Sequence, residues 1–450
     1  MIAVLGGGIA GISASFHIGH KKCCVYEKSS HLGGLAAGYK EDGCWWEHGP
    51  HVSFTSSTYV RELQNLSTAG KFKEFHPDIS NFYYGSWAPH PVQLNLFALD
   101  EIDKMPILRD FERASLSKKK IPKNYGQWLS MTFGNEFAVN FPGRYTRKYW
   151  TVDPEFLDID WIGPRLRAHT IEEIIEGYSR PPARVDHYVK EIRYPNKGGF
   201  ISFFKKIFVG ANVKTNHEAI RIDLEGKHIY FANGKFVEYE KLINTLPLPE
   251  FIMLCQPPAR IRDAAAELCC TSALLVNVTS NKDFIQASHD NWFYVYDDNK
   301  LTCRVHRSDL LSSSNAPSGR IALQAEVYYS KYKPLNRSIS EIEQIVVKEL
   351  IEMGVIGSIN SLHSKIVPYA NVIFDLNRRK NQDIIFEWLA NFGLVRESDD
   401  LSPLTNWKNQ KLFIGGDLFL AGRFGQWKYF WTDDCLLRGK QIANALVKSV

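Results

Sequence analysis

Three glycines near the start of the chain have the spacing of a phosphate-binding turn. Gly6, Gly8 and Gly11 form the pattern G-x-G-x-x-G directly after the apolar run Ile2–Leu5. In such a turn, the first glycine permits a tight bend, the second lets the backbone approach a pyrophosphate, and the third lets the helix pack close to the strand. The helix that follows presents free N–H groups and the positive end of its dipole to the phosphates. The chemistry predicted here is the binding of a dinucleotide.

An acid at the expected distance supports the same interpretation. A helix is predicted from Ile12 to Gly19, and a second short strand, Cys24–Tyr26, ends on Glu27. Glu27 follows Gly6 by about 20 residues, the separation expected of a carboxylate that accepts hydrogen bonds from ribose hydroxyls. A glycine-rich turn without a ligand is the alternative, but the strand, the helix and the acid together favour a dinucleotide.

Two further segments resemble the amine-oxidase-like FAD superfamily. From Glu27 the chain has the pattern E-x(5)-G-G, and in that superfamily the pair that stands at Gly33 and Gly34 runs close to the flavin's phosphates and ribityl chain. Residues 411–416 read Lys-Leu-Phe-Ile-Gly-Gly and, with Asp417, resemble the closing motif, in which the acid reaches a ribityl hydroxyl. Further cofactor contacts implied by the resemblance are Lys28, Leu35, Val213, Gly416 and Trp427, the last with packing as the alternative.

Other segments resemble UDP-galactopyranose mutases, especially the eukaryotic type. The matches run in order from residue 1 to about residue 440. They are Gly49–Val52 (G-P-H-V), Trp87–Asn95 (W-A-P-H-P-V-Q-L-N), Trp161–Arg165 (W-I-G-P-R), Tyr294 and Arg304 around Asp297–Asn299, Val367–Tyr369, and Gly422–Tyr429 (G-R-F-G-Q-W-K-Y).

This resemblance implies a flavin that acts as a nucleophile. In that family, N5 of reduced FAD attacks the anomeric carbon of a nucleotide-linked sugar, the adduct opens and recloses through a different hydroxyl, and no net redox change results. The implied reaction interconverts the pyranose and furanose forms of an NDP-hexose similar to UDP-galactose, in the service of polysaccharide biosynthesis. NAD(P)H is the implied reductant, although no second nucleotide site is legible in the sequence.

The resemblance also assigns residues to the diphosphate that leaves. Arg165 and Arg304 match diphosphate-binding arginines, whose planar fork binds phosphate oxygens in pairs. Tyr294, Tyr369 and Tyr429 match tyrosines that offer a hydroxyl while the ring shapes the pocket. A structural ion pair is the alternative for each arginine, and a place in the core is the alternative for each tyrosine.

Four more residues are implied around the flavin and the nucleotide. His51 is expected near flavin N5, with a satisfied core histidine as the alternative. Arg423 is expected beside the flavin, where a cation favours the reduced, anionic form. Gln93 and Asn95 are expected to line the nucleotide side of the cleft. His90 replaces the usual aromatic residue there, so the nucleotide base stays open.

The composition excludes other classes of function. The chain has 450 residues and a net charge of only +5, which does not favour nucleic acid or a membrane surface as a partner. The basic run Lys118–Lys123 is interpreted as a solvated loop. The eight cysteines show no C-x-x-C or Cys/His ligand spacing, so no metal site is predicted, and reduced thiols fit a cytoplasmic protein. No stretch approaches ~18 uninterrupted apolar residues, and no signal peptide is recognised.

The sequence predicts an α/β fold with a discontinuous, Rossmann-like FAD-binding domain. This domain is assigned to residues 1–50, 198–250 and 405–450. Within the second of these ranges, Leu242–Pro247 also resembles the I-x-T-L-P segment of these flavoproteins. Residues 99–180 are predicted to form a helical insertion. Residues 51–98, 181–197 and 251–404 are predicted to form a substrate domain with an antiparallel sheet. The assembly state is left open, with a homo-oligomer as one alternative.

Two other functions remain open at this stage. One is an FAD-dependent oxidoreductase of the amine-oxidase or protoporphyrinogen-oxidase type, whose mark would be an apolar or aromatic cage in place of paired arginines. The other is a binding protein that keeps FAD without catalysing a reaction.

Overall fold

A computed structural model describes residues 1–117, 121–163, 166–182, 191–282, 290–396 and 416–447. Part of the basic loop (residues 118–120), Arg165, and residues 411–415 of the expected closing strand lie outside the described residues. The strands are β1 (Ile2–Leu5), β2 (Cys23–Tyr26), β3 (Gly38–Glu41), β4 (Cys44–Glu47), β5 (Phe72–Phe75), β6 (Ile79–Tyr83), β7 (Ser86–Pro89), β8 (Ile192–Pro195), β9 (Val213–Lys214), β10 (Ala219–Asp223), β11 (His228–Phe231), β12 (Phe236–Glu238), β13 (Lys241–Asn244), β14 (Cys270–Asn281), β15 (Trp292–Val295), β16 (Arg304–Arg307), β17 (Arg320–Tyr329), β18 (Ser361–Val372) and β19 (Leu418–Leu420). The helices are α1 (Ile9–Ile18), α2 (Thr58–Thr68), α3 (Glu101–Leu116), α4 (Tyr125–Phe133), α5 (Asn135–Ala138), α6 (Arg144–Tyr149), α7 (Ile171–Ser179), α8 (Lys205–Phe208), α9 (Leu248–Leu254), α10 (Ala259–Glu267), α11 (Ser308–Leu311), α12 (Ile339–Glu352), α13 (Arg378–Ala390) and α14 (Thr432–Val447).

A parallel sheet forms the first layer and collects strands from distant parts of the chain. Among the described residues its order is β19-β13-β1-β2-β9. Val4 packs into the same core as residues of α1 and α14, whereas Ala3 and Leu5 pack into the core on the other face. A strand covered on both faces needs a continuous apolar sequence, which explains why Ile2–Leu5 was recognisable. The Rossmann-like part of the predicted fold class is confirmed.

Among the described residues, the strand beside β13 at the edge of this sheet is β19, whereas residues 411–415 of the predicted strand lie outside the described residues. We expected residues 411–416 to form the closing strand, with Asp417 following its carboxyl end. In the structure, β19 begins after Asp417 and pairs with β13 so that Leu420 aligns with Asn244. Both 411–416 and Leu418–Leu420 carry an apolar run with glycine nearby, so the pattern alone did not distinguish them. The glycine that follows the observed strand is Gly422.

A larger sheet forms the second layer and is mostly antiparallel. Among the described residues its order is β18-β14-β17-β16-β15-β6-β7, with one parallel pairing between β15 and β6. Side chains alternate across this sheet, since successive residues of a strand point to opposite faces. Phe293, Val305 and Ala325 pack with α12 residues on one side, whereas Tyr294 and Arg304 lie on the other. The predicted antiparallel substrate-domain sheet is therefore present.

The helices α3 to α7 belong to the region predicted as a helical insertion, and α6 joins it to the large sheet. Lys148 of α6 is 5% exposed, and its Nζ donates to the carbonyl oxygens of Val295 and Asp297 at 3.0 Å each. Burial lowers the pKa of Lys148 to about 8. These bonds hold α6, which also carries Tyr145 and Tyr149, against the carboxyl end of β15.

The sequence also predicts a capping box at Ser338-Ile339-Ser340-Glu341 and a hairpin turn at Asn233-Gly234, and both are present. Ser338 and Glu341 form the expected capping box at the start of α12. The turn at Asn233-Gly234 connects β11 and β12, with Gly234 at a φ of +79°. None of the described helices combines the length and apolar character needed to cross a membrane.

Candidate functional site

One long cleft lies between the carboxyl ends of the parallel strands and the open face of the large sheet. Its cavity volume is about 1220 Å³. The lining runs from Gly6 and Gly8 past His51 to Tyr294 and Arg304. Pockets for a single drug-sized ligand occupy roughly 300–1,000 Å³, so this cleft has room for a dinucleotide and a second ligand.

Two glycine-rich segments meet at one end of the cleft. Gly33 donates its N–H to the Gly7 carbonyl at 2.9 Å, and a Cβ on Gly34 would lie only 3.2 Å from the Gly8 Cα. Gly8 itself is not crowded, because the nearest atom to an added Cβ is the Gly34 Cα at 3.9 Å, an ordinary van der Waals contact. Gly8 precedes α1 without a side-chain cap, so the first N–H groups of the helix face the cleft. This cradle fits a pyrophosphate.

The predicted ribose acid is part of the same end. Glu27 lines the cleft, and its carboxylate accepts hydrogen bonds from the N–H groups of Gly7 at 2.7 Å and Ser29 at 2.8 Å. It therefore fixes the glycine turn, while its remaining lone pairs can accept from a ribose. Lys28 and Leu35 line the cleft as expected.

The far side of this end is lined by residues that the sequence did not indicate. Val213, the predicted contact, lies on β9 beside β2 and is outside the cleft lining, which instead contains His217, Glu218 and Ala219. The N–H of His217 donates to the Glu27 carbonyl at 2.9 Å. This segment comes shortly after β9. Val213 therefore lies in a strand as predicted, whereas the residues that line the cleft come a few positions later in the chain.

Besides Val213, the predicted cofactor contacts Gly416, Asp417 and Trp427 are absent from the cleft lining. Asp417 lies at the amino end of β19, where Lys227 and Lys241 donate to its two carboxylate oxygens at 2.9 and 3.0 Å. These hydrogen bonds hold the pKa of Asp417 below its ordinary value. Asp417 and the adjacent Gly416 lie at the end of the strand that is opposite to the cleft, and the expected contact of Asp417 with the ribityl chain stays a prediction. Trp427 is fully buried against Phe424 and is a packing residue.

His51 lies in the cleft wall, as expected, and stays neutral at pH 7. Its Nδ1 lies 2.9 Å from the Gly49 carbonyl, and its ring stacks on Phe200 at 5.3 Å between centroids. Burial lowers the pKa of His51 to about 4. A neutral imidazole can both donate and accept a hydrogen bond.

Glu47 is a buried acid beside His51 that sequence reasoning missed. Its Oε1 accepts from the Tyr194 hydroxyl and the Phe200 N–H, both at 2.6 Å, and its Oε2 lies 3.9 Å from His51 Nδ1. Burial raises the pKa of Glu47 to about 7. An acid ending the otherwise apolar run of β4, just before the G-P-H loop, was the available signal.

Arg304 and Tyr294 are brought together by strand register. They are cross-strand partners on β15 and β16, and Arg304 also aligns with Glu326 on β17. Nε and Nη2 of Arg304 donate to the Glu326 carboxylate at 2.7 and 2.8 Å. Glu326, 2% exposed, was not predicted, because only the register of β16 and β17 shows that it faces Arg304.

Arg423 and Tyr429 form the opposite wall. The Arg423 guanidinium lies over the Tyr429 ring at 4.5 Å, and its Nη2 donates to Asn371 Oδ1 at 2.8 Å. The Tyr149 hydroxyl donates to the same oxygen at 2.7 Å. Asn371 therefore orients both a cation and a phenol toward the cleft, a role that the sequence did not indicate.

The remaining predicted residues are arranged differently. Tyr369 lines the cleft, but its hydroxyl donates to Glu250 at 2.6 Å, and burial raises the pKa of Tyr369. Asn95 is buried and donates to the Pro91 carbonyl, and Gln93 lies against His169. Neither Gln93 nor Asn95 is part of the cleft lining, and their role on the nucleotide side stays a prediction.

Comparison with known proteins defines the class of fold. A model for NAD(P)-binding Rossmann-like domains matches residues 4–66, which include the glycine turn and Glu27. No curated protein sequence matches the chain. The described residues hold no group of three or more His, Cys, Asp or Glu side chains suited to a metal ion.

Solved structures give the particular fold. The chain is similar to a crystal structure of reduced UDP-galactopyranose mutase, with a TM-score of 0.88 and 20% identity over 100% of this chain and 94% of that one. A putative protoporphyrinogen oxidase from Exiguobacterium sp. 255-15 has a TM-score of 0.70 at 15% identity, covering 98% and 97%. A putrescine oxidase bound to putrescine has a TM-score of 0.61 at 14% identity, covering 99% and 98%. The predicted resemblance to the mutase and to this FAD superfamily is confirmed at the level of fold.

The buried Glu47 predicts a pH dependence of stability. Between its ordinary pKa of 4.5 and its folded pKa of about 7, the unfolded chain has released a proton that the folded protein keeps, so stability falls as pH rises through this window. Glu47→Gln removes this contribution. Relative to the parent protein, the variant should therefore gain stability from pH 5 to pH 8, measured as the urea midpoint at each pH. The exposed Glu225→Gln is the control. A difference between Glu47→Gln and the parent that stays constant with pH would contradict the assignment.

Proposed function

We propose that this protein binds FAD and, with the flavin reduced, interconverts the pyranose and furanose forms of an NDP-hexose similar to UDP-galactose. The observation that carries the proposal is the set of arginines and phenols that faces the cleft beyond the dinucleotide cradle. Arg304 and Tyr294 lie in the wall that the large sheet forms, which we call the sheet wall, and Arg423 and Tyr429 lie in the opposite wall. Arg165, outside the described residues, is proposed as a further diphosphate ligand on the strength of its motif alone.

The cradle fits FAD. The free N–H groups at the start of α1 and the uncrowded backbone at Gly8 suit the pyrophosphate, and Glu27 suits the ribose. Reduced FAD, when bound, supplies a nucleophile for the anomeric carbon. The loop that holds Gly49 and His51 lies between the cradle and the sheet wall, where a bound isoalloxazine would meet it.

The sheet wall is proposed to bind the diphosphate as it gains charge. Glu326 engages Nε and Nη2 of Arg304, which fixes the guanidinium in the cleft wall beside Tyr294. The hydroxyls of Tyr294 and Tyr429 can donate to phosphate oxygens as uncharged groups, because burial raises the pKa of Tyr294 and keeps its hydroxyl protonated. Donors aimed at developing charge stabilise the departure of the diphosphate.

The other wall is proposed to stabilise the reduced flavin. Arg423 brings a positive charge that Asn371 and the Phe430 carbonyl hold in place through Nη2 and Nη1. His51 is neutral, so it adds a hydrogen bond without a competing charge. A cation at this position favours an anionic, reduced ring.

Catalysis is tested by separating the nucleotide-sugar isomers by HPLC. Dithionite-reduced protein loaded with FAD should convert UDP-galactofuranose to UDP-galactopyranose, whereas the oxidised protein should be inactive. GDP- and dTDP-sugars test the nucleotide, and anaerobic bleaching of the flavin by NADPH or NADH tests the reductant. Lack of turnover with every NDP-sugar, together with oxygen uptake when putrescine is added, would instead establish the oxidase alternative.

The role of Arg304 is tested by Arg304→Lys. This change keeps a positive charge beside Glu326 but loses the fork, so kcat/KM should fall by roughly 100-fold, as for the loss of one transition-state donor. Arg307→Lys is the matched control, because Arg307 on the same strand makes a similar bidentate pair with Asp309 outside the cleft lining. Equal losses of activity in both variants would show that Arg304 is structural.

The cradle is tested by a pair of glycine variants. Gly8 has a φ of −74°, which alanine adopts freely, and its added Cβ would meet only the Gly34 Cα at 3.9 Å. Gly8→Ala should therefore fold normally but bind FAD about ten-fold more weakly, measured by titration of flavin fluorescence. In Gly11→Ala the Cβ would lie 2.1 Å from the Gly6 carbonyl oxygen, so thermal unfolding should show a loss of about 1–3 kcal/mol. Unchanged FAD affinity in Gly8→Ala would contradict the cradle.

A further inference from the structure

A second row of side chains lies beside Arg304 on the sheet wall. Along β15, β16 and β17, the residues Tyr294, Arg304 and Glu326 form one cross-strand row, and Trp292, His306 and Gln324 form the next row on the same face. His306 lines the cleft and is 3% exposed. Two residues along a strand correspond to about 7 Å, so His306 lies about that far from Arg304.

His306 has an unused hydrogen-bonding atom. Its Nδ1 is buried and has no hydrogen-bond partner among the described residues. Of its two neighbours in the row, Trp292 donates through Nε1 to the Tyr294 hydroxyl, and Gln324 donates through Nε2 to the Glu47 carbonyl and Asn277 Oδ1. The Oε1 of Gln324 is, like His306 Nδ1, buried without a hydrogen-bond partner in the part of the chain that the structure describes. A buried polar atom without a partner destabilises the folded state unless a ligand satisfies it.

The charge state of His306 restricts what that ligand can be. Burial, with Arg304 and His51 nearby, lowers the pKa of His306 to about 3, so the ring is neutral at pH 7. A neutral imidazole carries one donor and one acceptor. The unused Nδ1 is one or the other, depending on the tautomer, and an alcohol hydroxyl suits either case because it both donates and accepts, whereas a phosphate requires a donor or a cation.

We propose that His306 hydrogen-bonds a ring hydroxyl of the hexose and is a specificity-determining residue for the sugar. The inference rests on the proposed function, which puts the diphosphate at Arg304. A hexose linked to that diphosphate extends several ångströms from it, which matches the distance from Arg304 to His306 along the strand. The neighbouring indole of Trp292 provides an apolar edge for the same ring.

The experiment compares UDP-galactopyranose with UDP, which lacks the sugar, on reduced FAD-loaded protein. His306→Ala should weaken binding of UDP-galactopyranose by about ten-fold in isothermal titration and leave the Kd for UDP unchanged. His306→Asn places an amide near the position of Nδ1 and should recover part of the affinity. His20→Ala, a histidine outside the cleft lining, should change neither Kd.

Three results would overturn the inference. Equal affinity of the parent and His306→Ala for UDP-galactopyranose would reject the proposed hydrogen bond between His306 and the sugar, and it would leave the proposed function intact. Equal weakening of both ligands would show that His306 supports the diphosphate site. A shifted flavin absorption spectrum in ligand-free His306→Ala, with sugar binding unchanged, would assign His306 to the cofactor. Failure of the parent protein to bind either UDP-galactopyranose or UDP would instead reject the proposed function.

Discussion

The bidentate ion pair between Arg304 and Glu326 is the interaction on which the rest of the cleft depends. A buried guanidinium without a partner would strongly destabilise the folded state. The carboxylate of Glu326, aligned with Arg304 on the neighbouring strand, removes most of that cost. The ion pair holds the Arg304 side chain in one orientation, whereas an arginine on the surface would move among several. Burial keeps His51 and His306 uncharged and the hydroxyl of Tyr294 protonated. Arg423, which has no carboxylate partner among the described residues, lies in the opposite wall.

The cleft changes in character along its length. At the glycine end, backbone N–H groups and a helix terminus provide a weak, diffuse positive potential. Such a potential suits the pyrophosphate of a cofactor that remains bound. At the sheet wall, side-chain donors from β15 and β16 converge from fixed positions, which suits a group whose charge changes during a reaction. His51 and its buried neighbour Glu47 lie between the two. Under the proposed function, this arrangement would give the cofactor and the second ligand separate sets of contacts in one cavity.

The features that the sequence predicted correctly are local ones. The glycine turn, the Asn233-Gly234 hairpin and the capping box at Ser338 each depend on residues close together in the chain. Tyr294 and Arg304 were both expected in the site, but only through a family pattern, and their cross-strand pairing was not predicted. The failures involve long-range register. Asp417 was expected to follow a strand but precedes β19, since two apolar runs competed. Glu326, Asn371 and His306 were missed because only the alignment of distant strands brings them to the cleft.

The central claim is that a reduced flavin bound in this cleft takes part in catalysis and is not oxidised by the reaction. Anaerobic spectroscopy during turnover tests it most directly: the flavin absorbance near its oxidised maximum is followed while UDP-galactofuranose is added in large excess over the enzyme. We predict that many equivalents of UDP-galactopyranose form while the flavin remains fully reduced. Product limited to one equivalent, with stoichiometric oxidation of the flavin, would contradict the account and establish a redox enzyme.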